Sequence, residues 1–173
     1  EEKTAGRLAE VLPDCLLLAR NWQEFADRII QKLGIVLEND RREALAAFLG
    51  KRPVHKLFGD AGEATKLPQG KAILTLSPKF AIANISELRH FEIFSPDVAG
   101  AAKPDPAAFL AVLEKMKADP EETAMVGDSL ENDILPAQSL GIKPILLDRG
   151  GKIKNAAPPI IKIKSLKELK KYL

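Results

Sequence analysis

The chain has 173 residues, of which 46% are hydrophobic and 29% are charged, and its formal net charge is +2. This length is enough for one well-buried core, and so small a net charge gives no support for a nucleic acid or an anionic membrane surface as partner. No apolar stretch approaches the roughly 18 residues that a membrane-spanning helix needs. The single cysteine, Cys15, excludes an intrachain disulfide. We therefore expect a reducing, cytoplasmic setting and a buried structural thiol.

Helical patterns dominate the chain up to residue 50. Residues 1–12 carry one such pattern. The next helix is predicted to begin after the cap residue Asn21 and to end at Gly34, and its apolar face consists of Trp22, Phe25, Ala26, Ile29, Ile30 and Leu33. A further helix is predicted over 40–49, with Asp40 as its cap and Gly50 as its end. Several prolines and glycines in 51–70 predict turns and short pieces.

From Lys71 onward, short apolar runs alternate with helical patterns. The predicted strands are 72–75, 91–94, 123–126, 144–147 and 160–163. The predicted helices are 79–89, 105–117, 131–140 and 166–173. This alternation is typical of an α/β fold in which helices cover both faces of a parallel sheet. We predict three parts: an N-terminal helical segment over 1–12, a small helical module over 13–67, and an α/β core over 68–173.

Ligands of open α/β sheets bind at the carboxyl ends of the strands, so the loops directly after the strands are the places to examine. Asp128 follows a predicted strand and a glycine, and Asp133 opens the next helix. Two carboxylates held in this way suit Mg²⁺, which takes few protein ligands and keeps several waters. The alternative is structural: Asp128 starts a turn and Asp133 favours a helix N-terminus.

Lys103 stands in the sequence Lys-Pro-Asp-Pro, immediately before the predicted helix 105–117. Pro104 and Pro106 restrict the backbone at the helix entry, so the lysine is presented in a fixed place. A cation so placed can neutralise a phosphoryl oxygen and nearby carboxylates. The alternative is an ordinary surface charge.

Thr75 lies at the end of the first predicted strand and is followed by Leu76, Ser77 and Pro78. A hydroxyl at this point can hydrogen-bond a phosphate oxygen, with the backbone N–H groups of Leu76 and Ser77 beside it. Ser77 is also a natural helix cap with Pro78 at the first helical position. We assign Thr75 to the ligand and Ser77 to the cap, and the reverse assignment stays open.

Taken in order, these loops resemble the motifs of the haloacid-dehalogenase-like hydrolase superfamily. The most specific parts are Lys-Pro-Asp-Pro at 103–106 with Phe109, and Gly-Asp at 127–128 with Asp133. The resemblance covers about 67–173 and implies a three-layer, Rossmann-like core with a helical cap. It also implies a phosphatase that acts on a small phosphorylated metabolite with Mg²⁺, the metal being held by Asp128 and Asp133. Thr75 and Lys103 would be the catalytic residues and would bind the phosphoryl group.

Two departures from the family pattern stand out. Leu76 occupies the place where the family usually has asparagine, and the first motif, an apolar strand ending in Asp-x-Asp, does not occur in the sequence. Asp14 precedes its apolar run, and Asp60 follows too short a strand and has no second Asp two residues on, so neither replaces this motif. Because the chain starts at Glu1, we expect this strand and its nucleophilic aspartate within about 15–20 residues upstream. The alternatives are a non-catalytic relative that binds a partner or ligand and, less well supported, a signalling receiver domain.

Overall fold

The structure is a computed structural model and describes residues 10–12, 14–15, 19–51, 57–82, 85–153 and 159–173. Its α-helices are α1 (Trp22–Leu33), α2 (Asn39–Gly50), α3 (Ala61–Thr65), α4 (Lys79–Ile82), α5 (Pro96–Ala99), α6 (Pro106–Met116) and α7 (Leu135–Ser139). Its strands are β1 (Ala72–Leu74), β2 (Glu92–Phe94), β3 (Ala124–Gly127), β4 (Lys143–Leu147) and β5 (Ile161–Ile163). Short 3₁₀ segments cover Ser86–His90, Pro120–Glu122 and Leu166–Lys171, and a π-helical turn covers Leu130–Ile134.

All strand pairing recorded among these residues is parallel. β1 pairs with β2, and β4 lies between β3 and β5. Each strand is where the sequence predicts it, with no end displaced by more than one residue. The predicted α/β class is therefore confirmed, and the loops that follow the strands lie at the carboxyl ends of two parallel ribbons.

Helix α6 joins these two ribbons into one layered core. Its side chains Ala108, Phe109 and Leu113 are buried with two residues from the α7 region. Leu74 of β1 and Met125 of β3 both pack against this cluster. One helix therefore contacts both the β1–β2 ribbon and the β3–β4–β5 ribbon, which places their strand ends around the start of α6.

Helices α1 and α2 form a second structural unit, which we call the helical hairpin. The Asn21 side chain accepts the Glu24 N–H at 2.8 Å, and Gly34 ends α1 with a left-handed φ of 66°, as predicted. An ion pair of 2.9 Å between Asp27 and Arg42 ties the two helices together. Asp40 is not the cap of α2, because this helix begins at Asn39 and Asp40 lies inside its first turn.

Two other predicted helices differ from the structure. The helix predicted over 79–89 is divided, since α4 ends at Ile82 and Ile85 has an extended backbone with φ −82° and ψ 106°. Ile, Asn and Ser are weak helix formers, which accounts for the interruption. The closing helix predicted over 166–173 is a 3₁₀ segment. Of the helix predicted over 1–12, only residues 10–12 are described, and they are helical.

The turn before α3 is fixed to the C-terminal part of the chain by the buried carboxylate of Asp60. Its Oδ2 accepts hydrogen bonds from Arg149 at 2.8 Å, from the Ser165 hydroxyl at 2.7 Å and from the Leu166 N–H at 2.8 Å. The side-chain hydrogen bond from Arg149 and then that from Ser165 are the main causes that hold the pKa of Asp60 well below its usual range. Residues near 60 thus contact the core, while the boundary between module and core at 67–68 stays a prediction.

Candidate functional site

Lys103 and Asp133, which are far apart in the sequence, form a buried ion pair. The Lys103 Nζ atom lies 2.5 Å from Asp133 Oδ1, and the two side chains are only 12% and 5% exposed. Lys103 is held at the entry of α6, where the Asp105 side chain accepts the Ala107 N–H at 2.9 Å. The structure therefore brings two of the predicted site residues together, and Lys103 is not an ordinary surface charge.

The carboxylate of Asp133 is positioned by the turn that follows β3. The Ser129 N–H donates to Asp133 Oδ2 at 3.1 Å, and the Ser129 carbonyl accepts the Asp133 N–H at 3.0 Å. The Ser129 hydroxyl also accepts the Asn132 N–H at 3.1 Å. Gly127 leaves the space for this arrangement, because a Cβ atom there would lie 2.3 Å from Asp133 Cβ. The sequence motif contains Ser129, but nothing in the spacing alone revealed its role in orienting Asp133.

Asp128 directly follows β3 and is exposed, unlike Asp133. Within the described ranges, no group of three or more His, Cys, Asp or Glu side chains is arranged to hold a metal ion. Mg²⁺ does not need such a group, because it usually binds one or two carboxylates together with waters and substrate phosphate. Both Asp133 oxygens already accept hydrogen bonds. Asp128, which makes no side-chain hydrogen bond or ion pair among the described residues, fits a direct ligand. Asp133, whose oxygens each accept one hydrogen bond and keep a further lone pair, fits a ligand that acts directly or through water.

Thr75 lies immediately after β1, where the sequence predicts it. Its N–H donates to the Phe94 carbonyl at 2.9 Å, and its Oγ1 accepts the Ser77 N–H at 2.9 Å. The Ser77 N–H, predicted to bind phosphate, is thus engaged by Thr75 in this conformation, and the Leu76 side chain is 42% exposed. Pro78 is not the first helical residue, because α4 begins at Lys79.

No hydrogen bond joins Thr75 to Lys103, Asp128 or Asp133 in the part of the chain that the structure describes. The connection between these loops is through packing. Leu74, the residue before Thr75, packs against the α6 cluster, and α6 begins shortly after Lys103. The structure thus brings Lys103 and Asp133 into contact, and the approach of Thr75 and Asp128 to this pair stays a prediction.

Ser95 is a polar residue at this edge that the sequence reasoning missed. It directly follows β2, its side chain is fully buried, and its hydroxyl has no hydrogen-bond partner among the described residues. Its carbonyl accepts the N–H groups of Val98 and Ala99 at 2.9 Å each. These hydrogen bonds form the first turn of α5, which lies between β2 and Lys103 in the chain. The rule that selected Thr75, a hydroxyl directly after a predicted strand, applies equally to Ser95.

Arg149 follows β4, but it is engaged elsewhere. Its guanidinium bonds Asp60 at 2.8 Å and lies 4.2 Å from the centre of the Phe58 ring. Arg149 is thus part of the contact that fixes the turn before α3. Of the histidines, His90 is exposed, and His55 lies outside the described residues. No helix among the residues that the structure describes is long and apolar enough to cross a membrane.

Parallel strands, a buried lysine–aspartate pair and an exposed aspartate at a strand end define an α/β protein with charged side chains in the loops that follow its strands. Residues 100–168 match the HAD-hydrolase-like family model. Together with the curated relatives described next, this match shows that the chain belongs to the haloacid-dehalogenase-like superfamily.

Two curated relatives are each 30% identical to the chain. One is a phospholysine phosphohistidine inorganic pyrophosphate phosphatase from Xenopus laevis, matched over 138 residues, 80% of this chain and 44% of that protein. The other is a phosphoserine phosphatase from Thermus thermophilus, matched over 139 residues, 74% of this chain and 55% of that protein. The chain therefore spans about half the length of these relatives.

Solved structures show the same fold. A HAD phosphatase from Thermococcus onnurineus aligns with a TM-score of 0.59 and 24% identity over 92% of this chain and 90% of that chain. A 2-haloacid dehalogenase from Pseudomonas syringae pv. Tomato aligns with a TM-score of 0.68 and 23% identity over 96% of this chain and 79% of that chain. The predicted Rossmann-like architecture is confirmed by these alignments.

Proposed function

We propose that this chain forms the phosphate-binding and metal-binding part of a Mg²⁺-dependent phosphatase that hydrolyses a small phosphorylated metabolite. The observation that carries the proposal is the buried pair of Lys103 and Asp133, together with the exposed Asp128, which directly precedes the Ser129 that orients Asp133. The phosphatase names of the curated relatives give independent support.

Lys103 is assigned to neutralising charge on the transferred phosphoryl group. Its ammonium has three N–H donors, and Asp133 occupies one of them, which leaves donors for phosphoryl oxygens. The low exposure of both side chains strengthens each charge interaction relative to water. Asp133 therefore holds the Lys103 ammonium in a fixed position while the phosphoryl group accumulates negative charge.

Thr75 and the backbone around Leu76 are assigned to the phosphate oxygens. With its Oγ1 already accepting the Ser77 N–H, the Thr75 hydroxyl keeps its own hydrogen for donation. In this role Thr75 orients the phosphoryl group and does not react with it.

Mg²⁺, held directly by Asp128 and either directly or through water by Asp133, would shield the charge of the phosphoryl oxygens. Attack requires a further carboxylate, because Asp133 is paired with Lys103 and Asp128 is assigned to the metal. We assign the attack to an aspartate other than these two: its carboxylate oxygen forms a bond to phosphorus as the ester P–O bond breaks and the alcohol leaves, and water then hydrolyses the aspartyl-phosphate to free phosphate. β1 pairs only with β2, and β3 only with β4, among the described residues, so each has an edge at which a further strand fits.

The test is hydrolysis of p-nitrophenyl phosphate, phosphoserine and phosphoglycolate by the full-length protein with and without Mg²⁺. Lys103→Ala is expected to lower kcat/KM by about 100-fold or more, the size expected for removal of one charge-stabilising donor. Asp128→Asn is expected to abolish Mg²⁺-dependent turnover. Little change in stability is expected, because Asp128 is exposed and makes no ion pair among the described residues.

The matched controls are Lys115→Ala on the exposed side of α6 and Asp97→Asn on α5, both expected to keep full activity. Full Mg²⁺-dependent turnover in Asp128→Asn would refute the site assignment even if Lys103→Ala does not fold. Because several structural neighbours are haloacid dehalogenases, 2-chloropropionate is included as a substrate. Metal-independent chloride release without phosphate release would replace the proposed reaction with dehalogenation.

A further inference from the structure

The loop that carries Thr75 is connected to the helical hairpin through two aromatic rings. Phe80 lies on α4, which follows this loop, and its ring meets Trp22 of α1 edge to face with centroids 4.9 Å apart and an interplanar angle of 85°. Phe80 packs against the buried cluster of the hairpin region, which includes Cys15 and Phe25. This aromatic pair therefore links the loop that carries Thr75 to the helical hairpin.

Trp22 has little freedom to move independently of the hairpin. A Cβ atom on Gly50, at the end of α2, would lie 3.2 Å from the Trp22 ring, so α2 approaches the indole very closely. Phe25 contacts the same ring from α1 with centroids 6.1 Å apart. The indole is thus held between α1, α2 and α4, and a displacement of the hairpin would displace Phe80.

The segment between Phe80 and Thr75 is short and well fixed. Pro78 is fully buried, and its carbonyl accepts the Ala81 N–H at 2.9 Å. The Ser77 N–H donates to Thr75 Oγ1 at 2.9 Å. A shift of Phe80 would therefore be transmitted through Pro78 and Ser77 to the Thr75 hydroxyl.

We propose that Trp22 and Phe80 are positioning residues, whose contact holds the Thr75 hydroxyl where it can bind the substrate phosphate. The same contact makes the fluorescence of Trp22 change when phosphate binds at the Thr75 loop. This inference rests on the proposed phosphate-binding role of Thr75. It assigns to the helical hairpin a direct effect on the affinity of the core for phosphate, through one aromatic contact.

The test uses the full-length protein, with inorganic phosphate as the binding probe and p-nitrophenyl phosphate as the substrate. Trp22 emission, isolated as the difference between the wild type and Trp22→Phe, is expected to change saturably with phosphate concentration. Phe80→Leu is expected to remove this change and to raise KM by about tenfold with a smaller effect on kcat, since misplacement of a binding group impairs catalysis without removing it.

Phe80→Tyr retains a ring of the same shape and is expected to restore both KM and the emission change. The matched control is Phe48→Leu. Phe48 is an aromatic residue of the same hairpin that is 73% exposed, so this variant is expected to behave as the wild type. If Phe80→Leu does not fold, the KM of Trp22→Phe still tests the contact, because this variant replaces the indole that meets Phe80 by a smaller ring.

If the wild type binds and hydrolyses phosphate esters while Phe80→Leu and Trp22→Phe keep the wild-type KM, this proposal is overturned and the proposed function stands. If the wild type neither binds phosphate nor releases it from any ester, both fall together. A rise in KM that Phe80→Tyr reverses supports the proposal, because simple loss of stability would not follow ring identity.

Discussion

Replacing Gly127 by alanine tests the geometry of the candidate site most directly. The new Cβ would lie 2.3 Å from Asp133 Cβ and 2.5 Å from both Cγ and Oδ2. Carbon atoms in ordinary contact are about 3.5–4.0 Å apart, so Asp133 has to move by roughly 1 Å or more. We expect this movement to disturb the Lys103 Nζ–Asp133 Oδ1 contact of 2.5 Å.

The cost of this substitution follows from the burial of the pair. Overpacking a well-filled site costs about 1–3 kcal/mol, and leaving one buried charge without its partner costs about 3–5 kcal/mol. We expect Gly127→Ala to lower the free energy of unfolding by about 3 kcal/mol and to lower phosphatase activity by about 100-fold. Urea denaturation followed by circular dichroism measures the first quantity, and initial rates measure the second.

Gly62 provides the matched control for this experiment. It lies within α3, and a Cβ atom there would meet nothing within 4 Å. Gly62→Ala is therefore expected to raise the free energy of unfolding by about 0.5–1 kcal/mol through helix propensity. A Gly127→Ala protein that differs from the wild type by less than about 0.5 kcal/mol, the usual range for neutral surface changes, would refute the close packing of Gly127 against Asp133.

Two further predictions concern polar groups buried away from the ion pair. Asp60→Asn is expected to destabilise the protein by about 1.5–3 kcal/mol at pH 7, because a neutral amide replaces the charged acceptor of the hydrogen bonds from Arg149 and Ser165. The pKa of Asp60 is lowered in the folded protein, so its contribution is complete above about pH 4, the usual unfolded value, and is lost as pH falls toward the folded pKa. Acid titrations of stability should therefore show the two proteins converging below that pH, and a difference that stays constant into acid would contradict the assignment. Ser95→Ala removes a buried hydroxyl that has no partner among the described residues, so we expect unchanged stability or a gain of up to about 1 kcal/mol, whereas a clear loss in thermal denaturation would show that this hydroxyl is hydrogen-bonded.

Much of the core could be predicted from sequence because its signals are local. Each strand is a short apolar run, and the start of α6 is marked by Asp105 and Pro106, so their positions follow from neighbouring residues. The proximity of Lys103 and Asp133 could also be predicted, because parallel strands bring the loops that follow them to the same edge of a sheet. The lysine is at the end of one such loop and the acid is in another.

The parts that sequence could not predict depend on partners distant in the chain. The Asp60 side chain makes no cap hydrogen bond to α3, and its hydrogen bonds to Arg149 and Ser165 form only when the C-terminal segment folds over the turn before α3. The contact of Trp22 with Phe80 likewise joins two helices for which the sequence gives only separate apolar faces. The predicted helix is divided at Ile85, where weak helix formers lie in the sequence. The spacing of apolar residues does not register this low helix propensity.

The place of the indole in the hairpin has a practical consequence for how unfolding curves are interpreted. Trp22 is the sole tryptophan in the printed sequence, and it lies between α1, α2 and α4 rather than within the β3–β4–β5 ribbon. Intrinsic emission from this sequence therefore follows loss of the hairpin packing, while circular dichroism averages over all the helices and strands. Coincidence of the two transitions would show that both units unfold as one cooperative block, and separated midpoints would give the stability of each.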